Sequence, residues 1–176
     1  KRIGEVLDTE ASIKDGTLTA APEGSPVGTV EFRHVSFKYP DASEYVLHDM
    51  SFKAERGQTV AFIGSTGSGK STAINLVPRF YDATEGEVLV DGVNVKDYTL
   101  AALHDKIGYV PQRAVMFSGT VESNVAYGEK TGLEFDRDKV KEAVRVAQGK
   151  EFVEEMDGGY CAHSAQGGTN VSGGQK

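Results

Sequence analysis

The stretch Gly64-Ser65-Thr66-Gly67-Ser68-Gly69-Lys70-Ser71 decides how this sequence is interpreted. It fits the pattern G-x-x-x-x-G-K-[ST], whose glycines let the backbone curl so that successive N–H groups point inward at phosphate oxygens. Lys70 carries a full positive charge suited to the β and γ phosphates, and the Ser71 hydroxyl is a hard oxygen ligand suited to Mg²⁺. The stretch therefore predicts a phosphate-binding loop (P-loop) for a nucleoside triphosphate.

The residues on either side of the loop agree with this interpretation. The short apolar run Gln58–Ile63 before it is typical of a buried parallel strand. The stretch Lys70–Phe80 after it predicts a helix whose positive dipole end faces the same phosphates. By itself a P-loop indicates only a nucleoside triphosphate, and it leaves kinases, GTPases, helicases and transporters open.

Hydrophobic periodicity elsewhere predicts an α/β fold with strands first and helices later. Further strands are predicted at Thr29–Tyr39, Val46–Ala54, Glu87–Val90 and Ile107–Val110. Helical character begins near Gly119. Asp136–Ala147 places Val140, Ala143, Val144 and Ala147 on one face, and Phe152, Val153 and Met156 indicate a further short helix.

The first 28 residues predict a linker, because Asp15 to Gly28 is rich in Gly, Pro, Ser, Thr and Ala. The folded domain is expected over residues 29–176. The net charge of −7, without a basic patch, argues against nucleic acid as a partner. The single cysteine, Cys161, excludes an internal disulfide and favours a reduced, cytosolic setting.

The end of the sequence, Val171-Ser172-Gly173-Gly174-Gln175, resembles the signature motif of ATP-binding cassette (ABC) proteins, with Val171 in place of the usual Leu. Alone, a Ser-Gly-Gly run is a flexible turn; behind a P-loop at this distance, it points to that family. The resemblance implies a P-loop NTPase fold with an antiparallel β subdomain, a RecA-like core and a partial α-helical subdomain over about 113–176.

The resemblance also implies an ATP and Mg²⁺ site. Tyr39 resembles the aromatic residue that stacks on adenine, and Gln112 resembles the glutamine that contacts Mg²⁺ or the attacking water. Without the resemblance, Tyr39 is a strand-end tyrosine and Gln112 a solvated loop amide. Lys70 and Gln112 are the expected catalytic residues, and Ser71 and Gln112 the expected metal ligands. The nucleotide-binding set is Tyr39, Gly64, Ser65, Thr66, Gly67, Ser68, Gly69, Lys70, Ser71, Thr72, Gln112, Ser172, Gly173, Gly174 and Gln175.

In this family two cassettes dimerise head to tail, so Ser172, Gly173 and Gly174 are expected to act on the ATP of a partner cassette. Membrane domains are expected to contact the cassette through coupling helices, at the cytoplasmic face of a membrane. Two further segments resemble the corresponding segments of ABC exporters. Val115–Val125 resembles the exporter pattern that follows the glutamine loop, and Arg2–Asp8 resembles the tail that joins the last membrane helix to the cassette. The implied function is ATP-driven export, with the cargo selected by membrane helices and with homodimer and heterodimer both open.

The sequence stops at Lys176, before the family's acidic strand, which holds a magnesium-binding Asp and a base Glu. The C-terminal strands are therefore expected to be missing, and this piece alone is expected to bind ATP poorly and hydrolyse it negligibly. Three other classes stay open: a cytosolic ABC ATPase without a membrane partner, a kinase or GTPase in which the terminal Ser-Gly-Gly-Gln is coincidental, and a structural or regulatory module. Within the transporter class, an importer cassette also stays open.

Overall fold

The computed structural model describes residues 10–112, 115–128 and 135–165. The chain divides into two compact units, Lys1–Tyr109 and Val110–Lys176. Within the described ranges, no helix has the length and apolar character that crossing a bilayer requires.

An antiparallel sheet organises the described part of the first unit. Its four strands lie in the order β2-β1-β3-β4. They are β1 (Val30–Phe37), β2 (Leu47–Ala54), β3 (Glu85–Val90) and β4 (Val93–Asn94). Strand β1 lies between β2 and β3, and its Phe32 pairs with Phe52 of β2 on one side and with Val88 of β3 on the other. The strands predicted at Thr29–Tyr39, Val46–Ala54 and Glu87–Val90 are therefore confirmed.

The hydrophobic core lies between this sheet and the helix that follows the P-loop, α1 (Lys70–Leu76). Buried side chains come from β1 at Phe32, Val35 and Phe37, and from α1 at Ala73 and Leu76. Each fully buried large apolar side chain contributes about 1.5–3 kcal/mol to stability. The core therefore fixes the position of α1 against the sheet.

Helix α1 is shorter than the predicted Lys70–Phe80. It ends at Leu76, and the amide of Val77 already bonds to the Ile74 carbonyl in a tighter turn, at 3.2 Å. The next residue is Pro78, which has no N–H and whose ring would clash with the carbonyl four residues earlier. The proline therefore stops the helix close to its last buried residue.

Two predicted strands are wrong within the described residues. Gln58–Ile63 and Ile107–Val110 are not strands, and no described residue pairs with them in a ladder. Ile63 is 96% exposed and Val110 is 93% exposed. A parallel strand forms only where neighbours satisfy its backbone groups, so an apolar run alone does not make one.

A segment inside the predicted linker, Asp15–Leu18, is hydrogen-bonded to the chain between β4 and α2 (Leu100–His104). The Gly16 amide donates to the Tyr98 carbonyl at 3.0 Å. The Leu18 amide donates to the Asp97 carbonyl at 2.9 Å, and its carbonyl accepts from the Thr99 amide at 2.8 Å. Asp15 Oδ1 accepts from the Leu100 amide at 2.6 Å, so this segment also caps α2.

Asp91 anchors the start of β1. One carboxylate oxygen accepts from the amides of Gly28 and Thr29, at 2.6 and 3.2 Å, and the other accepts from Lys106 Nζ at 2.9 Å. Burial raises the pKa of Asp91, but the Lys106 and backbone hydrogen bonds outweigh it, so the pKa lies below its usual value. Asp91 has a φ of 52°, a left-handed conformation that Asp tolerates better than most residues.

Short helices dominate the described part of the second unit, as predicted. They are α3 (Val121–Val125), α4 (Arg137–Val146) and α5 (Lys150–Glu155), beside a pair of short strands, β5 (Gly119–Thr120) and β6 (His163–Ser164). Val140 and Val144 of α4 are buried as predicted, whereas Ala143 and the residue that follows the helix, Ala147, are exposed. The Asp136 side chain caps α4 by accepting from the amides of Asp138 and Lys139.

Candidate functional site

The P-loop wraps around the ammonium group of Lys70, the first residue of α1. Lys70 Nζ donates to the carbonyls of Gly64 and Ser65, at 2.8 and 2.6 Å, and to Ser68 Oγ at 3.1 Å. A positive charge therefore lies inside the curve of the loop, at the N-terminal end of α1. The position is half-buried, so it is partly shielded from water.

Different structural constraints require glycine at different positions of the P-loop. A Cβ on Gly64 would lie 2.6 Å from Ser68 Oγ, so a side chain there would fill the inside of the loop. Gly67 and Gly69 have φ angles of 84° and 85°, which L side chains rarely adopt. The loop conformation therefore depends on glycine at each of these positions.

This arrangement fits a nucleoside triphosphate. The present partners of Lys70 are neutral oxygens, and phosphate oxygens form stronger, charge-assisted hydrogen bonds with an ammonium group. Ser71 is exposed, which leaves its hydroxyl accessible to a metal ion, whereas Thr72 is buried against the core. The loop thus offers one cation, a curved backbone and an accessible hydroxyl in one place.

Tyr39 lies beside the same helix, two residues after β1. Its hydroxyl and Thr72 Oγ1 are 3.0 Å apart, a hydrogen bond in which either is the donor. Its ring makes edge contacts with Phe37 and Tyr81, at centroid distances of 4.9 and 5.3 Å and interplanar angles of 83° and 90°. Tyr39 is half-buried, so an aromatic surface is held next to the P-loop helix.

Tyr81 and the residues that hold it were missed by sequence reasoning. Arg79 is buried and has a φ of 57°. Its guanidinium donates to both carboxylate oxygens of Asp82, at 2.8 and 3.3 Å, and to the Lys96 carbonyl at 3.3 Å. These bonds fix the turn that follows α1 and so place Tyr81 against Tyr39. The signal in the sequence was the Arg-x-x-Asp spacing around two aromatic residues.

The structure brings together Tyr39, Thr72 and the P-loop residues of the predicted site. Gln112 belongs to the second unit, where it is exposed. The remaining predicted residues, Ser172, Gly173, Gly174 and Gln175, lie outside the described residues.

Comparison with known proteins identifies the family. Residues 47–176 match the ABC transporter family. The chain is 40% identical over 172 residues to a multidrug export ATP-binding/permease protein of Staphylococcus aureus strain NCTC 8325, covering 98% of this chain and 29% of that protein. The corresponding protein of the bovine strain RF122 is 39% identical over the same length. The chain therefore spans less than a third of the length of these relatives.

A solved structure supports the same assignment. The chain resembles a bacterial Atm1-family ABC exporter with ATP bound, with a TM-score of 0.84 and 32% identity, covering 99% of this chain and 30% of that one. The expected α/β cassette fold is thereby confirmed. The P-loop, the antiparallel sheet and both comparisons agree, and the chain belongs to the ABC transporter family, whose ATP-binding domains are transport ATPases.

Proposed function

We propose that this chain is the ATP-binding cassette of an exporter, in which ATP binding and hydrolysis drive a substrate across a membrane. The observation that carries the proposal is the Lys70 ammonium, held by Gly64, Ser65 and Ser68 inside the P-loop. Lys70 would exchange these neutral partners for charged phosphate oxygens, while the half-buried Tyr39 stacks on the base. Bound ATP supplies the γ-phosphoryl group that is transferred to water.

Ser71 and Gln112 are proposed for the metal and water roles. The exposed hydroxyl of Ser71 is suited to hold Mg²⁺, and Gln112 is proposed as the second ligand of the metal ion. The Gln112 amide would also orient the attacking water. Lys70 and Gln112 are therefore the proposed catalytic residues of this chain.

The proposed partners are a second cassette and membrane domains. The signature residues Ser172, Gly173, Gly174 and Gln175 would complete the nucleotide site of the partner cassette, in a head-to-tail dimer. Residues 1–28 would connect the membrane part to the cassette of residues 29–176, whose helical subdomain begins near residue 113. The relatives' names join ATP binding with a permease, which supports a location at the cytoplasmic face of a membrane.

Calorimetric titration of the full-length protein with MgATP tests the nucleotide site. Because hydrogen bonds to charged groups contribute about 1.5–3 kcal/mol, Lys70→Ala should weaken ATP binding by about 10- to 150-fold. Tyr39→Ala should also weaken it, through the lost aromatic surface. The control is Lys53→Ala, which removes an exposed lysine of β2 paired with Glu55 and should leave ATP affinity unchanged. Unaltered binding by Lys70→Ala would contradict the proposal.

A further inference from the structure

The hydrogen bond between Tyr39 and Thr72 joins the two ends of the proposed nucleotide site. Tyr39 belongs to the surface proposed for the base, and Thr72 lies in the first turn of α1, two residues after Lys70. The two oxygens are 3.0 Å apart. Stacking on a base requires only the aromatic ring, so the hydroxyl of Tyr39 has no part in that role.

The surroundings of Thr72 make this bond consequential. Its side chain is buried, with 6% of the residue exposed, so little water is available to satisfy the hydroxyl. Thr72 is the third residue of α1, so the residue four positions earlier, Ser68, lies before the helix and outside its hydrogen-bond ladder. The Tyr39 hydroxyl is therefore the hydrogen-bond partner that fixes the direction of the Thr72 hydroxyl.

The Tyr39 ring is itself fixed from other directions. Phe37 and Tyr81 contact it edge-on, and Phe37 is buried in the core. Because the ring cannot shift freely, its hydroxyl defines one position for Thr72 Oγ1. The rotamer of Thr72 is thus set by the packing of β1 and not by α1 alone.

We infer that Tyr39 is a positioning residue for phosphate binding: its hydroxyl fixes the side chain of Thr72 in the P-loop helix. The inference rests on the proposed function of this loop as a nucleotide site. It predicts that a ligand without any base still responds to the loss of the Tyr39 hydroxyl. A residue that only stacks on adenine would not affect such a ligand.

The test measures binding of MgATP and of magnesium tripolyphosphate to the full-length protein. Tyr39→Phe keeps the ring and removes the hydroxyl, and it should weaken both ligands by a similar factor of about three- to tenfold, the size of one neutral hydrogen bond. Tyr109→Phe is the matched control. Tyr109 donates from its hydroxyl to Asn75 Oδ1 on the same helix at 2.9 Å, so its loss removes a comparable bond away from Thr72 and should leave both affinities unchanged.

A double-mutant cycle separates positioning from general loss of structure. Thr72→Val removes the partner hydroxyl, so adding Tyr39→Phe to it should change neither affinity further, while Thr72→Ser should retain near wild-type binding. If Tyr39→Phe weakens ATP but not tripolyphosphate, or acts equally in the Thr72→Val protein, the inference is overturned. If wild-type protein binds neither ligand, the proposed function itself fails.

Discussion

The backbone of Gly69 passes so close to Leu47 that a Cβ on Gly69 would lie 2.8 Å from Leu47 Cδ2. The same Cβ on Gly69 would lie 3.1 Å from the Val46 carbonyl oxygen. Strand β2 therefore limits the side-chain volume at the last glycine of the P-loop. Gly67 has nearly the same φ angle, but nothing lies within 4 Å of a Cβ placed there.

These two glycines allow a matched comparison. Gly67→Ala should cost only the strain of a left-handed alanine, about 1–2 kcal/mol of unfolding free energy. Gly69→Ala should cost about 1–3 kcal/mol more, because the methyl group also overpacks β2. Urea denaturation measures both. Equal destabilisation by the two substitutions would show that β2 does not restrict the loop.

The Asp91–Lys106 pair predicts a pH-dependent part of the stability. The pKa of Asp91 lies below its usual value because of the hydrogen bonds from Lys106 and the backbone, so its contribution to stability is complete above about pH 5 and is lost as the pH falls through the folded-state pKa. Asp91→Asn should cost about 1–3 kcal/mol at pH 7, because Lys106 loses a charged partner. Asparagine also tolerates the φ of 52°, so backbone strain adds little.

Denaturation of wild-type and Asp91→Asn proteins between pH 3 and pH 7 checks this expectation. The difference in unfolding free energy should begin to shrink as the pH falls below about 4, where Asp91 of the unfolded chain takes up a proton, and it should be lost once the folded carboxylate is protonated as well. A difference that stays constant over this range would show that charge on Asp91 is not what stabilises the start of β1.

The buried guanidinium of Arg79 gives a third prediction. Arg79→Lys keeps the positive charge but removes the forked pair of bonds to Asp82, so it should destabilise the first unit by about 1–3 kcal/mol. The control is Arg145→Lys. That arginine bonds Glu142 in the same forked manner, but both side chains are more than half exposed, so stability should not change measurably. Thermal denaturation compares the two variants, and equal effects would contradict the importance of burial.

Attachment of the Asp15–Leu18 segment gives a fourth prediction. A Cβ on Gly16 would lie 2.3 Å from the Asp97 carbonyl oxygen, so Gly16→Ala should detach the segment from residues 97–99. Amide hydrogen exchange should then speed up at Leu18 and Thr99, whose hydrogen bonds are lost. Gly24→Ala is the control, because no atom lies within 4 Å of a Cβ there and the exchange at both amides should stay slow.

Much of the fold was accessible from local sequence patterns. Alternation of apolar and polar residues identified β1 and β2, and the spacing of Val140 and Val144 identified α4. The apolar run at Gln58–Ile63 misled, because composition reports only the capacity to form a strand. Pairing depends on neighbours that an isolated segment does not reveal, and no described residue pairs with this one.

The candidate site was likewise predictable only where its residues are contiguous in the sequence. The P-loop is contiguous, so its glycines and Lys70 were recognisable from spacing alone. The contacts of Tyr39 with Thr72 and Tyr81 join residues far apart in the chain, and they follow from the packing of β1 on α1. The restriction of Gly69 by Leu47 is equally non-local, since it arises where β2 passes the loop.

The attachment of Asp15–Leu18 also has a mechanical consequence. A pulling force on the chain before Asp15 would be resisted by the hydrogen bonds that join Asp15–Leu18 to the chain between β4 and α2. Residues 19–27 form a closed loop, anchored at Leu18 by this attachment and at Gly28 by the Asp91 carboxylate. A change in the length of that loop would leave both anchor points in place. A pulling force on the chain before Asp15 would therefore act on the first unit at residues 97–100, whatever the length of the loop 19–27.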